Sequence, residues 1–367
     1  MVFGLNVKEL PTLQPIPNTK SQIPNTCRRA PPCLQRQHLL FSFPMALYLI
    51  TGVAGFIGSN LAHALIARGD QVRGIDNFCH GRAENLAGIE MKIDLREADI
   101  TDDASVRSAC ADVDYVLHQA ALGSVPRSLA DPVGSNHANV VGTLKVLQAA
   151  REAGVKRVVY ASSSSVYGDT PTLPKREDMP GNPISPYAVS KYAGELYAQS
   201  FSRVLGLETV SLRYFNVFGP RQHPTSQYAA VIPKFIRAML SGEQPTIFGD
   251  GKQSRDFTYI NNVVSANLLA ASAPAEKVSG RVFNVAAAQS FSLLELYRLL
   301  QELTGFEQPP ILAPPRNGDV RDSLADITRA QQAMGYRTLV DFKDGLRQSV
   351  EWYRLEFAAA SEAQARV

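Results

Sequence analysis

One eight-residue segment, Thr51-Gly52-Val53-Ala54-Gly55-Phe56-Ile57-Gly58, restricts the possible folds of this chain more than any other. It follows a short apolar run, Leu47–Thr51, and opens an amphipathic stretch, Phe56–Arg68. Glycine at the first place permits a tight turn, at the second a close backbone approach to a pyrophosphate, and at the third close packing of helix on strand. The helix N-terminus then offers unpaired N–H groups to the anion. Glycine spacing by itself is weak evidence. Asp76 strengthens it, because it ends the next apolar run 24 residues after Gly52, near the roughly 20-residue offset at which an acidic residue receives the ribose hydroxyls of NAD. A carboxylate there repels a 2′-phosphate, so the expected cofactor is NAD rather than NADP. Asp99, at the end of the third run, has two readings: contact with the adenine amino group, or a cap on the helix that follows.

The apolar runs Leu47–Thr51, Gln71–Ile75, Lys92–Ala98, Asp114–Gln119, Arg157–Ala161 and Glu208–Arg213 alternate with helical stretches that include Phe56–Arg68, Ser135–Ala153 and Tyr187–Leu205. That alternation predicts an α/β fold: a Rossmann-like, doubly wound parallel sheet forming an NAD-binding domain over residues 46–215. Beyond Phe215 helical stretches near 228–241, 261–272, 292–303 and 341–358 are separated by short strands and Pro/Gly-rich loops. They predict a smaller C-terminal α/β domain over 216–367, with some segments returning to the first.

The first 45 residues hold seven prolines from Pro11 to Pro44 and no sustained apolar period, so they are expected to be disordered. A dispensable tail with Met45 as the natural initiator and a targeting peptide are both open readings. The segment also hides the charge balance. Of a net charge of +3, Lys8, Lys20, Arg28, Arg29 and Arg36 against Glu9 leave this tail at +4 and the remainder at −1. A nearly neutral body lacks the broad basic face that nucleic-acid binding requires. No run approaches the roughly 18 apolar residues of a membrane span. Cys27, Cys33, Cys79 and Cys110 lack zinc-ligand spacing; unpaired thiols fit a reducing compartment, and the cytoplasm is the expectation. Small-molecule chemistry is favoured, with no metal.

Tyr187 and Lys191 are four residues apart at the start of a predicted helix, so their polar ends can converge on one ligand. Ser163 ends the fifth predicted strand, where open α/β sheets place ligands. A phenol with an ordinary pKa near ~10 is a poor base at neutral pH; the charges of Lys191 and of NAD⁺ would favour its phenolate.

Together these residues resemble the extended short-chain dehydrogenase/reductase superfamily, and within it the nucleotide-sugar 4-epimerases, over essentially all of residues 46–355. Gly52, Gly55, Gly58, Asp76, His118-Gln119-Ala120-Ala121, Asn139, Ser163, Tyr187, Lys191 and the run Arg213 to Pro220 fall in that family's order. The resemblance implies further cofactor contacts from Phe56, Ile57, Asn77, Ile100, Gln119, Ala120, Ala121, Asn139 and Tyr214. It implies a UDP-sugar substrate held in the C-terminal domain, with contacts from Ser124, Ser164, Ser165, Val231 and Ser323. Asn216, Arg255 and Arg316 would meet the diphosphate, and Asp319 the uridine ribose.

The family shares one oxidation, to a 4-keto sugar, and diverges afterwards. Sugar-nucleotide 4,6-dehydratases carry Asp-Glu after the catalytic hydroxyl residue, and decarboxylating relatives keep the Glu; this chain has Ser164 and Ser165, so epimerisation is implied. UDP-glucuronate 4-epimerases commonly have Thr at the place of Asn216. The segments Gln222–Lys234 and His118–Ser128 are more similar to UDP-N-acetylhexosamine epimerases. Many UDP-galactose 4-epimerases have a lysine where this chain has Gly123. In the resembling enzymes the residue at Ser323 gates the pocket: tyrosine admits only glucose and galactose, whereas a small residue admits a 2-acetamido group. Helices Ser135–Ala153 and Tyr187–Leu205 carry apolar residues on more than one face, and related proteins pair them into a four-helix bundle, which implies a homodimer. A catalytically idle NAD-binding scaffold would usually lose Tyr187, Lys191 or Ser163.

Overall fold

In the computed structural model, which describes residues 45–224, 230–315 and 321–365, adjacent residues of each apolar run go to opposite sides of one sheet. The expected tail over 1–45 lies outside the described residues except for Met45. The strands are β1 (Leu47–Thr51), β2 (Gln71–Asp76), β3 (Ile93–Glu97), β4 (Tyr115–His118), β5 (Arg157–Ser163), β6 (Glu208–Tyr214) and β7 (Arg281–Val285), ordered β7-β6-β5-β4-β1-β2-β3 with every pair parallel. In β1, Ile50 enters one core and Leu49 the other; Leu117 and Val116, and Val159 and Val158, divide in the same way. A strand buried on both faces needs apolar residues at successive positions, which is why these runs show no alternation.

The α-helices of eight residues or more among the described residues are α1 (Phe56–Arg68), α2 (Asp103–Cys110), α3 (Gly142–Glu152), α4 (Pro186–Leu205), α5 (Val231–Leu240), α6 (Ile260–Ser272), α7 (Leu293–Thr304) and α8 (Phe342–Ala365). Helices α2, α3 and α4 cover one sheet face, and α1 and α6 the other. This is the expected doubly wound sheet. Strand β7 and helix α2 were not singled out by pattern. The five residues of β7 return to the sheet edge from far along the chain and pair with β6. The helix expected over Ser135–Ala153 is interrupted: Pro132–Asn136 is α-helical, His137–Val141 is a π turn, and α3 follows. The π turn leaves Asn139 buried, accepting from the Leu122 N–H at 2.7 Å and donating to Leu122 O at 3.2 Å and Ser190 Oγ at 3.0 Å.

After β6 the chain forms three short strand pairs, Val217–Phe218 with Thr258–Tyr259, Ser254–Arg255 with Phe291–Ser292, and Thr246–Phe248 with Ile311–Ala313. These enclose an aromatic cluster of Phe218, Phe257, Phe291 and Phe342, with ring centroids 4.3 to 6.3 Å apart. Among the described residues no helix is long and apolar enough to cross a membrane.

His118, at the end of β4, ties three elements together. Its Nδ1 accepts from Thr51 Oγ1 at 2.6 Å; Nε2 donates to Thr143 Oγ1 at 2.9 Å, whose own proton goes to Asn139 O at 2.6 Å. Thr51 Oγ1 also accepts from the Ala120 N–H at 3.1 Å. Every hydroxyl proton is thereby committed, and the ring is the neutral Nε2–H tautomer. Burial, and then the Lys191 charge, pull His118 down to about 3. The folded value lies below the unfolded one, so the unfolded chain takes up the proton first as pH falls. Stability should therefore be lost progressively between about pH 6.5 and 3, and be indifferent to this ring above that window. Urea unfolding of wild type against His118→Gln reads this: the variant should be less stable at neutral pH and show a shallower decline on acidification.

Candidate active site

The turn after β1 is shaped by contacts that exclude side chains. Gly52 has φ +68°, and a Cβ there would lie 2.9 Å from Ala120; a Cβ on Gly58 would lie 2.1 Å from Gly52 O. The strand and helix are thus as close as backbone allows, and the first N–H groups of α1 face a cleft of about 390 Å³ at the carboxyl ends of β1 to β4. Its walls carry fifteen of the sixteen residues expected to hold the cofactor: Gly52, Gly55, Phe56, Ile57, Gly58, Asp76, Asn77, Asp99, Ile100, Gln119, Ala120, Ala121, Tyr187, Lys191 and Tyr214. The sixteenth, Asn139, stands behind the wall and holds Leu122, as described above. A glycine cradle that any Cβ would fill, at a helix N-terminus, fits the pyrophosphate of a dinucleotide.

Asp76 is buried, which pushes its carboxyl up, but its two oxygens accept from the Ala54 and Phe78 N–H groups at 2.9 Å each, which pull it back. It therefore braces the glycine turn while keeping free lone pairs for a ribose. Asp99 does not cap α2; Asp102 does, accepting from the Ser105 N–H at 2.8 Å. Asp99 instead accepts from Thr101 and from Asn77 Nδ2. Cys79, His80, Gly81 and Arg127 also line this cleft. No spacing in the sequence marks them; they arrive because the loop after β2 and the helix Val125–Ala130 face each other across it.

The reacting groups follow from the helix start. Ser185 Oγ accepts from the Ala188 N–H at 3.2 Å and Pro186 occupies the first turn, so α4 begins with Tyr187 and Lys191 on one face. Burial pushes the Tyr187 phenol up, and a hydrogen bond with Ser163 draws it down. Burial pulls Lys191 down to about 8, and its Nζ donates to Ala161 O at 2.9 Å. Without a bound cation Tyr187 is therefore a neutral acid, and the charge of a cofactor is needed to favour phenolate.

A second cleft of about 440 Å³ opens on the other side of Tyr187. Tyr187, Tyr214, Ile57 and Ser162 line both clefts, so this is where the two meet. Of the expected substrate residues, Ser163, Ser164, Ser165, Asn216, Arg255 and Ser323 line the second cleft; Val231 lines an adjoining apolar cavity of about 280 Å³ that shares Asn216 and Arg255. Ser124 lines neither and caps Val125–Ala130 instead, accepting from the Arg127 N–H at 3.2 Å. Arg316 and Asp319 lie outside the described residues. Lys175 and Gly168 also line the second cleft; their places depend on the loop after β5 and had no local signal.

The NAD dependent epimerase/dehydratase family matches residues 48–286. A UDP-glucose 4-epimerase of Mycolicibacterium smegmatis is 41% identical over 311 residues, covering 83% of this chain and 98% of that protein. Among solved structures, a UDP-N-acetylglucosamine 4-epimerase from Methanobrevibacter ruminantium, in complex with UDP-N-acetylmuramic acid, superposes with a TM-score of 0.81 at 40% identity, over 85% of this chain and 99% of that one. A UDP-glucose 4-epimerase of Thermus thermophilus in complex with NAD does so with a TM-score of 0.76 at 34% identity, over 84% and 99%. The family match runs from β1 to the end of β7 and takes in the glycine turn together with the Tyr187 and Lys191 face of α4: the chain belongs to the NAD dependent epimerase/dehydratase family, and NAD is its cofactor.

Proposed function

We propose that this protein interconverts UDP-N-acetylglucosamine and UDP-N-acetylgalactosamine at C4, with weaker activity on UDP-glucose and UDP-galactose. The observation that carries the reading is the wall around Tyr187: among the described residues, no carboxylate lines the second cleft. Loss of water from a 4-keto sugar needs an acid and a base beside it, and Ser164 and Ser165 can be neither. What remains is return of the hydrogen.

NAD, which the glycine turn and the walls of the first cleft would hold, would supply a reversible hydride acceptor for sugar C4. Tyr187 Oη takes the 4-hydroxyl proton as the C4 hydride leaves, which gives a 4-keto sugar, and later returns that proton to O4 as the hydride comes back to the opposite face of C4. Ser163 holds the phenol by its hydrogen bond, and Lys191, below the cofactor site, favours the phenolate by its charge. Asn216 and Arg255, shared by the second cleft and the apolar cavity, lie where a diphosphate would join the sugar to a base, and arginine meets phosphate oxygens in pairs. With the diphosphate held at that junction, the keto sugar can swing about it. Most of the residues before 216 thus serve the cofactor, Ser163, Ser164 and Ser165 excepted, and most of those after it the nucleotide sugar.

Ser323 supports the N-acetyl assignment. It is small and nearly buried on the cleft wall, and a sugar that presents both faces needs clearance for its 2-acetamido arm in two poses. Its hydroxyl is also engaged, accepting from Asn216 Nδ2 at 3.2 Å and the Asp256 N–H at 3.1 Å.

The protein is further proposed to pair through α4 and the helix preceding α3. Val146, Leu147, Ala188 and Phe201 are buried, whereas Val133, Val189, Leu196 and Tyr197 are exposed at 78, 52, 48 and 39%. An apolar stripe of that extent fits a second copy of the chain.

Purified protein should release NAD on denaturation and convert UDP-N-acetylglucosamine without added cofactor; accumulation of NADH would instead make it a dehydrogenase. Tyr187→Phe should keep its NAD and lose turnover by about 10²–10⁴-fold; turnover near wild type removes Tyr187 from the reaction. Ser323→Tyr should lower kcat/KM for the N-acetylated pair by at least the roughly 10–200-fold of a modest pocket mismatch and spare the other pair. Ser323→Ala, which removes the hydroxyl without adding bulk, should leave the ratio between the pairs unchanged. Light scattering at micromolar concentration should give the mass of two chains, and a monomer mass counts against the pairing.

A further inference from the structure

Asp256 takes no part in the steps above, yet three segments meet on it. It is fully buried and lies between Arg255, on the substrate wall, and Phe257, in the aromatic cluster. One carboxylate oxygen accepts from the Ala287 N–H at 3.0 Å and the other from the Ala325 N–H at 3.1 Å; the Ala288 and Gln289 N–H groups favour its charge as well. Its main chain reaches the substrate wall: Asp256 O accepts from Asn216 Nδ2 at 3.0 Å, and its N–H donates to Ser323 Oγ at 3.1 Å. A side tie reinforces the junction, Ser290 Oγ donating to Ser323 O at 3.1 Å.

Two loops joined by neutral contacts can drift independently. A buried carboxylate couples them, because its desolvation is offset only when the donors of both loops are in place. Burial already pushes this carboxyl up to about 7 against the pull of those donors, so releasing either loop tips it to the neutral acid. Residues 287–289 and 323–325 are thereby held by one carboxylate. These ties run to Asn216, Ser323 and the strand of Arg255; none of them runs to a residue lining the cofactor cleft.

We infer that Asp256 is a positioning residue for the substrate, docking the 287–289 loop and the 323–325 segment together and so setting the places of Asn216, Arg255 and Ser323 around the sugar diphosphate. The inference rests on the UDP-sugar reading of the second cleft.

Asp256→Asn keeps the shape of the side chain but turns an NH₂ group toward N–H donors. Calorimetry with UDP, steady-state kinetics with the UDP-sugar, and NAD content after denaturation are measured on wild type and variants. For Asp256→Asn the Kd for UDP and the KM should both rise about 10–100-fold, as expected for losing one or two hydrogen bonds to a charged group, with kcat and NAD content nearly those of wild type. Ser290→Ala, which cuts only the side tie, should raise both by a few-fold, and it decides alone if Asp256→Asn does not fold. Unchanged Kd and KM in the folded variants, or a joint fall in kcat and NAD content, overturns the inference. A wild type that does not bind UDP overturns the reading on which it rests instead.

Discussion

Glu195 and Arg213 meet behind the reacting residues with 0 and 4% of their side chains exposed. Arg213 Nε and Nη2 donate to the two carboxylate oxygens at 2.9 and 2.6 Å, Ser162 Oγ donates to the same carboxylate at 2.8 Å, and the guanidinium carbon lies 4.5 Å from the centre of the Tyr167 ring. The pair joins α4, β5 and β6, the elements that carry Tyr187 and Lys191, Ser163, and Tyr214. Glu195 follows Lys191 by four residues and Tyr187 by eight, so all three share a helix face. Such a pair adds little net stability, because desolvating both charges offsets much of their attraction, but losing one partner typically costs about 3–5 kcal/mol. Its value here is geometric. A two-pronged contact permits one arrangement of three elements, and it fixes the helix face that carries Tyr187 and Lys191.

The sheet order supplies the second constraint. Connections run outward in opposite directions from the β1–β4 boundary, and at such a switch point the loops after neighbouring strands part to leave a crevice. The cofactor cleft occupies it. The second cleft is built differently, from the loops after β5 and β6 and from short strands that follow β6. Tyr187 lies on the wall common to both, so a hydride and a proton can be exchanged with one carbon and its oxygen from adjacent sides. The second cleft is lined by hydroxyls, an amide and cations, with no carboxylate among the described lining residues.

Polar groups buried by tertiary contact do much of the positioning. His118 links β1, β4 and α3 through hydroxyls whose protons have one consistent direction each. Asn139 pins the loop after β4 from behind the cofactor wall. Asp256 does the corresponding work for the substrate wall. In each case the side chain lines neither cleft, yet its hydrogen bonds reach a segment that does.

What the sequence determined by itself was whatever depends on neighbours within a turn or a strand. The bounds of β1 and α1 agree with those expected, because glycine spacing and apolar runs act locally. The first turn of α4 was equally legible, since Tyr187 and Lys191 four residues apart share a face in any helix. The rest depended on pairings far apart in the chain. The π turn at His137–Val141 goes together with the contact of Asn139 with Leu122, 17 residues away; the interruption of the expected helix has no signal within its own residues. Asp99 and Ser124 are acceptors whose roles their sequence leaves open, and the fold assigned them to Thr101 and to the Arg127 N–H. His80, Arg127 and Lys175 reached the clefts only through loops facing one another, and β7 is strand because β6 offers an open edge. Local periodicity encodes which elements form; which polar groups finish buried against one another is decided by packing, where a donor left without an acceptor costs more than most single contacts contribute.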